Sequence, residues 1–239
     1  MKSKVPAYQP RRGFTLIEIL VVVTIIAVLA AITFSTSSRM IAAAKNTTSM
    51  SNLRSIGVGL TVASSDNSGV YPYGIADWYA KTWWDDVTAT QGRKTSWGEK
   101  AGESFQSPLR IIKRNGGYPT YGGNPLILVD GPNGKRTPPR VAQINRPEEV
   151  IIVTDATQNG GKGDWGEAAT MVLWGIPGLD WGQSESNANR YIGTGSNEDN
   201  GSASIRYRYK DSANCLFIDG SVSIKKRGTI RQKNLCFAY

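Results

Sequence analysis

The pattern of apolar and polar positions divides the first quarter of the chain into two stretches. From residue 14 to residue 34 every residue but one is uncharged, and most are Leu, Ile, Val, Ala or Phe. At about 1.5 Å rise per residue, a helix over these positions spans roughly 30 Å, the thickness of a bilayer's hydrocarbon core. The exception is Glu18, and a carboxylate at that depth calls for a partner. From residue 35 to about 64 the apolar positions thin out to steps of three and four: Met40, Ile41, Ala44, Met50, Leu53, Ile56, Leu60 and Ala63. That spacing describes a single stripe on an amphipathic helix. No proline stands between Phe14 and Val70, so the two stretches are predicted to form one helix over 14–64. Gly57 and Gly59 are its soft points, each costing ~1 kcal/mol relative to alanine, and their small size suits close packing on a sheet.

Beyond the helix the pattern changes to short apolar runs between turns. Residues 64–69 (Ser-Ser-Asp-Asn-Ser-Gly) read as a helix stop. Residues 74–107 mix aromatics with Gly, Ser, Thr and Lys without a period, with one short helix expected near 76–88. Residues 118–125 are turn-rich, whereas 126–129, 149–154 and 168–174 read as strands. In 205–210 the period is two, which sets Ile205, Tyr207 and Tyr209 opposite Arg206, Arg208 and Lys210. Residues 214–218 and 221–225 flank Asp219-Gly220 and predict a hairpin with a two-residue turn. The fold class is α+β: a long N-terminal helix packed on a C-terminal antiparallel sheet. Its divisions are 1–13, 14–64 and 65–239.

Charge and composition narrow the chemistry. The formal net charge is +9. Lys2, Lys4, Arg11 and Arg12 precede the apolar run with no acid among them, the positive-inside arrangement of a single-pass anchor. The chain has no histidine, which excludes Ser-His-Asp and Cys-His catalysis and the HExxH zinc site. We find no nucleophile–base pair or cofactor fingerprint, so an enzyme is not expected. Gly131-x-x-Gly134-Lys135-x-Thr137 has the wrong spacing for a phosphate loop, and Pro138-Pro139 blocks the helix that must follow. Cys215 and Cys236 can form one bridge in an oxidising compartment or remain two buried thiols.

Gly13-Phe14-Thr15-Leu16-Ile17-Glu18 followed by a long apolar helix resembles the N-terminal signature of type IV prepilins and of the pseudopilins of type II secretion. The resemblance covers residues 1 to about 64. It implies a leader cleaved after Gly13 by a prepilin peptidase, N-methylation of the new Phe14 amine, and stacking of subunits into a filament. It also implies an inner-membrane anchor, a periplasmic C-terminal domain, and inner-membrane assembly machinery and lipid as partners. Within that reading the Phe14 ammonium of one subunit meets Glu18 of its neighbour. Asn52-Leu-Arg-Ser-Ile-Gly57, Asn67-Ser-Gly-Val-Tyr-Pro72 and Asn214-Cys-Leu-Phe-Ile-Asp-Gly-Ser-Val222 are similar to further pilin-like passages. Two departures stand out. The helix lacks the proline common in major pilins, and Ser221 stands where the third passage usually has histidine.

Three binding chemistries stand beside filament assembly, and no motif requires a cofactor. Asp155, Asn159, Asp164 and Glu167 are arranged like part of a calcium loop, with the last acid one position late. Arg206, Arg208, Lys210, Lys225, Lys226 and Arg227 form a candidate basic patch for DNA, with a solvated sheet face as the simpler account; nucleic acid is not the favoured partner. The Trp83-Trp84 pair offers either a stacking platform for glycan or an anchor beneath its loop. A minor pilin or tip module binding DNA or glycan is thus the alternative to a structural subunit.

Overall fold

In the computed structural model, residues 13–76, 81–90, 92, 105–110, 119–129, 131, 136–158, 173, 175–193 and 204–238 are described. Helix α1 runs unbroken over Leu16–Asp66, as the missing proline predicted. It stops at an uncapped-looking Ser-Asp-Asn-Ser-Gly run that the backbone closes itself. Gly69 adopts φ 78°, and its N–H donates to Ser64 O at 2.7 Å, which satisfies a terminal carbonyl by the usual left-handed exit. The chain divides into two compact units, residues Met1–Ala43 and Ala44–Tyr239.

Within the second unit, β1 (Ile75–Ala76) and β2 (Lys81–Thr82) pair as a small antiparallel ribbon, leading into α2 (Trp83–Thr90). Asp85 caps α2, accepting from Thr82 N and Oγ1 at 2.8 and 2.7 Å. The main sheet is antiparallel, in the order β3 (Tyr121–Gly123), β4 (Ile151–Asp155), β5 (Ser212–Phe217), β6 (Val222–Lys226). One face packs on α1 and α2, where Leu53, Ile56 and Leu60 meet Trp83, Val87, Tyr121, Val153 and Leu216. The other face carries Ile151, Ala213, Cys215 and Phe217 under a layer of irregular chain containing Ile176, Ile192, Ile205, Tyr207, Ile230 and Leu235. This second layer is why β5 is buried at every position.

Several expected elements are shifted. The short helix starts at Trp83, later than the sequence suggested. Residues 126–129 are buried turn, and the strand lies just before them at Tyr121–Gly123. Glycines 122 and 123 read as turn formers, but here they are strand residues that admit neighbours. A Cβ on Gly122 would stand 2.6 Å from Leu173 Cδ2. Residues 205–210 keep their two-residue alternation in burial but make only isolated bridges, Ala156 to Ile205 and Tyr209 to Ser212. The β5–β6 turn is one residue longer than the Asp-Gly turn: Gly220 N donates to Phe217 O and Phe217 N to Ser221 O, with Gly220 at φ 84°. That is a type I turn completed by a left-handed glycine. Apart from Leu173, which donates to Gly123 O at 2.9 Å, the strand expected over 168–174 lies outside the described residues.

The two helix glycines do what their size allows, on different partners. A Cβ on Gly57 would lie 2.9 Å from Leu216 of the sheet, whereas Gly59 is closed down upon by Val87 of α2. Close to the start of this unit the interface is polar. Asn214 Nδ2 donates to Asn46 Oδ1 at 3.0 Å, and Ser49 Oγ lies 2.8 Å from the Tyr121 hydroxyl.

Candidate assembly site

Gly13 and Phe14 lie in irregular chain immediately before α1, and Phe14 is exposed. Nothing stands within 4 Å of where a Gly13 side chain would begin. Thr15 and Glu18 form a reciprocal capping box. Glu18 Oε2 accepts from Thr15 N and from Thr15 Oγ1, both at 2.8 Å, while Glu18 N donates to Thr15 Oγ1 at 3.3 Å. This satisfies two of the donors that every helix start leaves over. It also holds the carboxylate beside the first residues of the helix, one turn from Phe14. Sequence reasoning treated Glu18 only as a charge in need of a partner. The Thr-x-x-Glu spacing was the missed signal.

Downstream of Glu18 the helix surface is apolar and exposed on all sides. The most apolar window averages 2.8 in mean hydropathy and is long enough to cross a membrane. Three of its hydroxyls are satisfied within the helix: Thr24 donates to Leu20 O, Thr33 to Leu29 O and Ser37 to Thr33 O, at 2.7, 2.8 and 2.7 Å. Such back-bonding removes the need for water at those positions, a condition for burial in lipid or against other helices.

The other candidate groups are dispersed. Asp155 ends β4 and is fully buried. Its Oδ2 accepts from Asn214 N at 2.9 Å, and Oδ1 has no hydrogen-bond partner among the described residues. Burial pushes its carboxyl up to about 6, against the pull of the Arg208 guanidinium. Asn159, Asp164 and Glu167, the rest of the calcium arrangement, lie outside the described residues. Arg208 does not join an exposed basic face: its guanidinium turns inward to Ala156 O. Lys210 and Lys226 are exposed, Lys225 sits 5.4 Å over the Phe217 ring, and Arg227 pairs with Asp211 at 3.1 Å.

Two alternatives left open by the sequence are decided. Trp83 and Trp84 are no surface platform: both are buried, edge to face at 6.3 Å, with Phe105 against Trp83. Their rings supply the apolar mass between α2 and α1 that the short strands lack. Cys215 and Cys236 are not bridged. Cys215 faces Thr154 Oγ1 at 3.3 Å and Cys236 accepts from Gln232 Nε2 at 2.8 Å. Burial pushes the Cys215 thiol up to about 12, which leaves it unreactive at neutral pH.

Residues 9–34 match the family model of the prokaryotic N-terminal methylation motif. That motif is the hallmark of type IV pilin-like proteins and pseudopilins, and the match is confined to the N-terminal segment. No curated protein and no solved structure matches the chain. The motif and the architecture together, a long N-terminal helix followed by a four-stranded antiparallel sheet, fit a pilin-like α+β protein.

Proposed function

We propose that the chain is a structural subunit of a type II secretion pseudopilus or type IV pilus-like filament. It is cleaved after Gly13, N-methylated at Phe14, and held in the inner membrane with its C-terminal domain in the periplasm until assembly. The observation that carries this reading is the capping box. It fixes the one carboxylate of the apolar segment beside the residue that cleavage turns into an amine. Between parallel helices that ammonium can reach Glu18 of the adjacent subunit, and in low dielectric such a pair fixes register, because a misplaced neighbour leaves a charge buried alone. The unbroken α1 and the Asp219-Gly220 hairpin favour the secretion pseudopilus of the two. Prepilin peptidase, its methyltransferase activity and the inner-membrane assembly machinery are the partners of this route.

Two substitutions separate the pairing role from the local cap. Glu18→Ala should leave cleavage intact, read as a mature mass beginning at Phe14, while abolishing incorporation into sheared filaments. Glu18→Gln keeps the capping geometry, since glutamine serves equally in the box, but removes the charge. It should fail in the same way. Normal assembly of the glutamine variant would reduce Glu18 to a helix cap. A native chain that still begins at Met1 would end the filament reading altogether.

A further inference from the structure

In the compact unit Ala44–Tyr239, lysines gather at the end where α1 enters. Asn214 Nδ2 of β5 donates to Asn46 Oδ1 of α1 at 3.0 Å, whereas Leu216, two residues on, lies against Gly57. Following β5 back from Leu216 therefore leads towards the start of the unit. There Ser212 stands opposite Lys226, and Ala213 opposite Lys225. Beyond Ser212 the chain turns at Lys210 and Asp211, at φ 49° and 55°. Tyr209 and Ser212 exchange N–H···O bonds of 3.1 and 2.9 Å across them, a two-residue hairpin turn that ends the strands on this side. Lys210 and Lys226 are exposed, and so is Lys45, the residue before Asn46.

Among the described residues these charges are not cancelled locally. Asp211 is taken by Arg227 at 3.1 Å. Asp219, the other acid of the hairpin, lies in its far turn, and Asp155 is buried facing Arg208. Helix α1 carries Arg39, Lys45 and Arg54 but no acid between Glu18 and Asp66. Ile224, two residues before Lys226 and hence on the same face of β6, is exposed as well. What lies beyond this end is fixed by the chain itself. Only 11 residues separate Phe34, the last of the apolar run, from Lys45, about 17 Å at the rise of an α-helix.

We propose that this end, centred on Lys210 and Lys226 with Lys45 and Lys225 beside them, docks on the anionic phospholipid headgroups of the bilayer that holds the apolar run. The inference rests on the membrane-held stage of the reading above and gives the C-terminal domain its own contact there. Lysines on long apolar stems reach phosphate while their stems, with Ile224, cover the apolar boundary. A tethered domain needs little attraction to settle, since its anchor already keeps it near the surface. The contact is electrostatic, so it depends on the anionic lipid and is screened over a Debye length of about 8 Å at physiological ionic strength. It is also weak enough to be surrendered when the subunit leaves the bilayer.

The test uses the full chain reconstituted into vesicles. Ser223→Cys, on the exposed edge strand, carries a donor dye, the native thiols being buried, and the acceptor is a headgroup-labelled lipid. Energy transfer should be at least twofold higher in phosphatidylcholine vesicles containing one quarter phosphatidylglycerol than in phosphatidylcholine alone. Half-molar salt should remove the difference. Lys210→Glu/Lys226→Glu should remove it too, and the milder Lys210→Gln/Lys226→Gln should at least halve it. A dye at Ser65→Cys, near the C-terminal end of α1, should show no such dependence. Equal transfer in the two vesicles, or a difference that the glutamine variant keeps in full, overturns the proposal. Equal transfer together with oligonucleotide binding that the glutamine variant loses would give the lysines to nucleic acid. Transfer that follows the number of copies per vesicle instead of phosphatidylglycerol would give them to a second copy; both outcomes overturn it. A chain that does not float with either vesicle ends the membrane anchor and this inference together. Lipid-dependent transfer in a chain that never enters filaments leaves the contact standing and fails only the filament.

Discussion

Leu20, Val22, Ile26 and Leu29 in the first half of α1 are more than half exposed, whereas Leu53, Ile56 and Leu60 in the second half are almost completely buried. The residue types are the same and the helix is continuous, so helix propensity does not explain the difference. What differs is spacing. In the first half apolar residues occupy every side, and no single sheet could cover them. In the second, Leu53, Ile56 and Leu60 form one stripe matched to the sheet, while Thr47, Thr48, Ser51, Arg54, Ser55 and Val58 are exposed; Met40, Ile41 and Ala44, which the spacing placed on the same stripe, are exposed because they precede the buried stretch of the helix. A helix apolar all round belongs in lipid or inside a bundle, and one with a stripe belongs against its own domain. The same element is thus built for two solvents, and the join at Ala43–Ala44 is where the compact unit begins.

This contrast can be broken in order of expected effect. Leu53→Ala in the full chain in detergent should cost about 2–5 kcal/mol of unfolding free energy, since it opens a cavity at a completely buried position. Leu29→Ala should change it by less than about 0.5 kcal/mol. Equal losses from the two would remove the distinction between the halves. Gly59→Ala forces its new methyl onto Val87 and should cost ~1–3 kcal/mol by overpacking. The companion Gly59→Ala/Val87→Ala should recover part of that loss, measurable as a partial return of Tm.

The smallest effect concerns pH. Because burial raises the Asp155 carboxyl from 3.8 to about 6, the folded chain holds a proton that the unfolded chain releases between those values. Its contribution to stability is complete below about pH 3.8 and is lost as pH rises through about 6. The groups facing it are Arg208, Asn214, Ser107, Tyr121 and Cys215, and burial pushes the Tyr121 hydroxyl and the Cys215 thiol up, away from that window. Asp155→Asn should therefore flatten Tm against pH between these limits, and an unchanged slope would assign the dependence to other carboxylates.

Much of the architecture was legible because it rests on local rules. The missing proline and the two apolar spacings predict α1 to within two residues at its C-terminal end. The alternation in 205–210 predicted that Ile205 and Tyr207 are buried even though no continuous strand forms. The strand at Tyr121–Gly123 was illegible: glycine carries no strand signal, and its presence there depends on Leu128 and Leu173, one of them fifty residues away. The same holds for Arg208. Its alternate position placed it on a basic face, but a buried carboxylate and the Ala156 carbonyl draw it inward.

The sequence by itself determined the N-terminal segment. A glycine ahead of the helix, a Thr-x-x-Glu cap and an uninterrupted apolar run act through neighbours within a few residues, so their order along the chain already contains their physics. Only the tertiary structure decided the fate of the tryptophans and cysteines and the inward turn of Arg208. Those depend on which distant segments meet, and burial by a partner remote in sequence leaves no periodic trace in the chain that is buried.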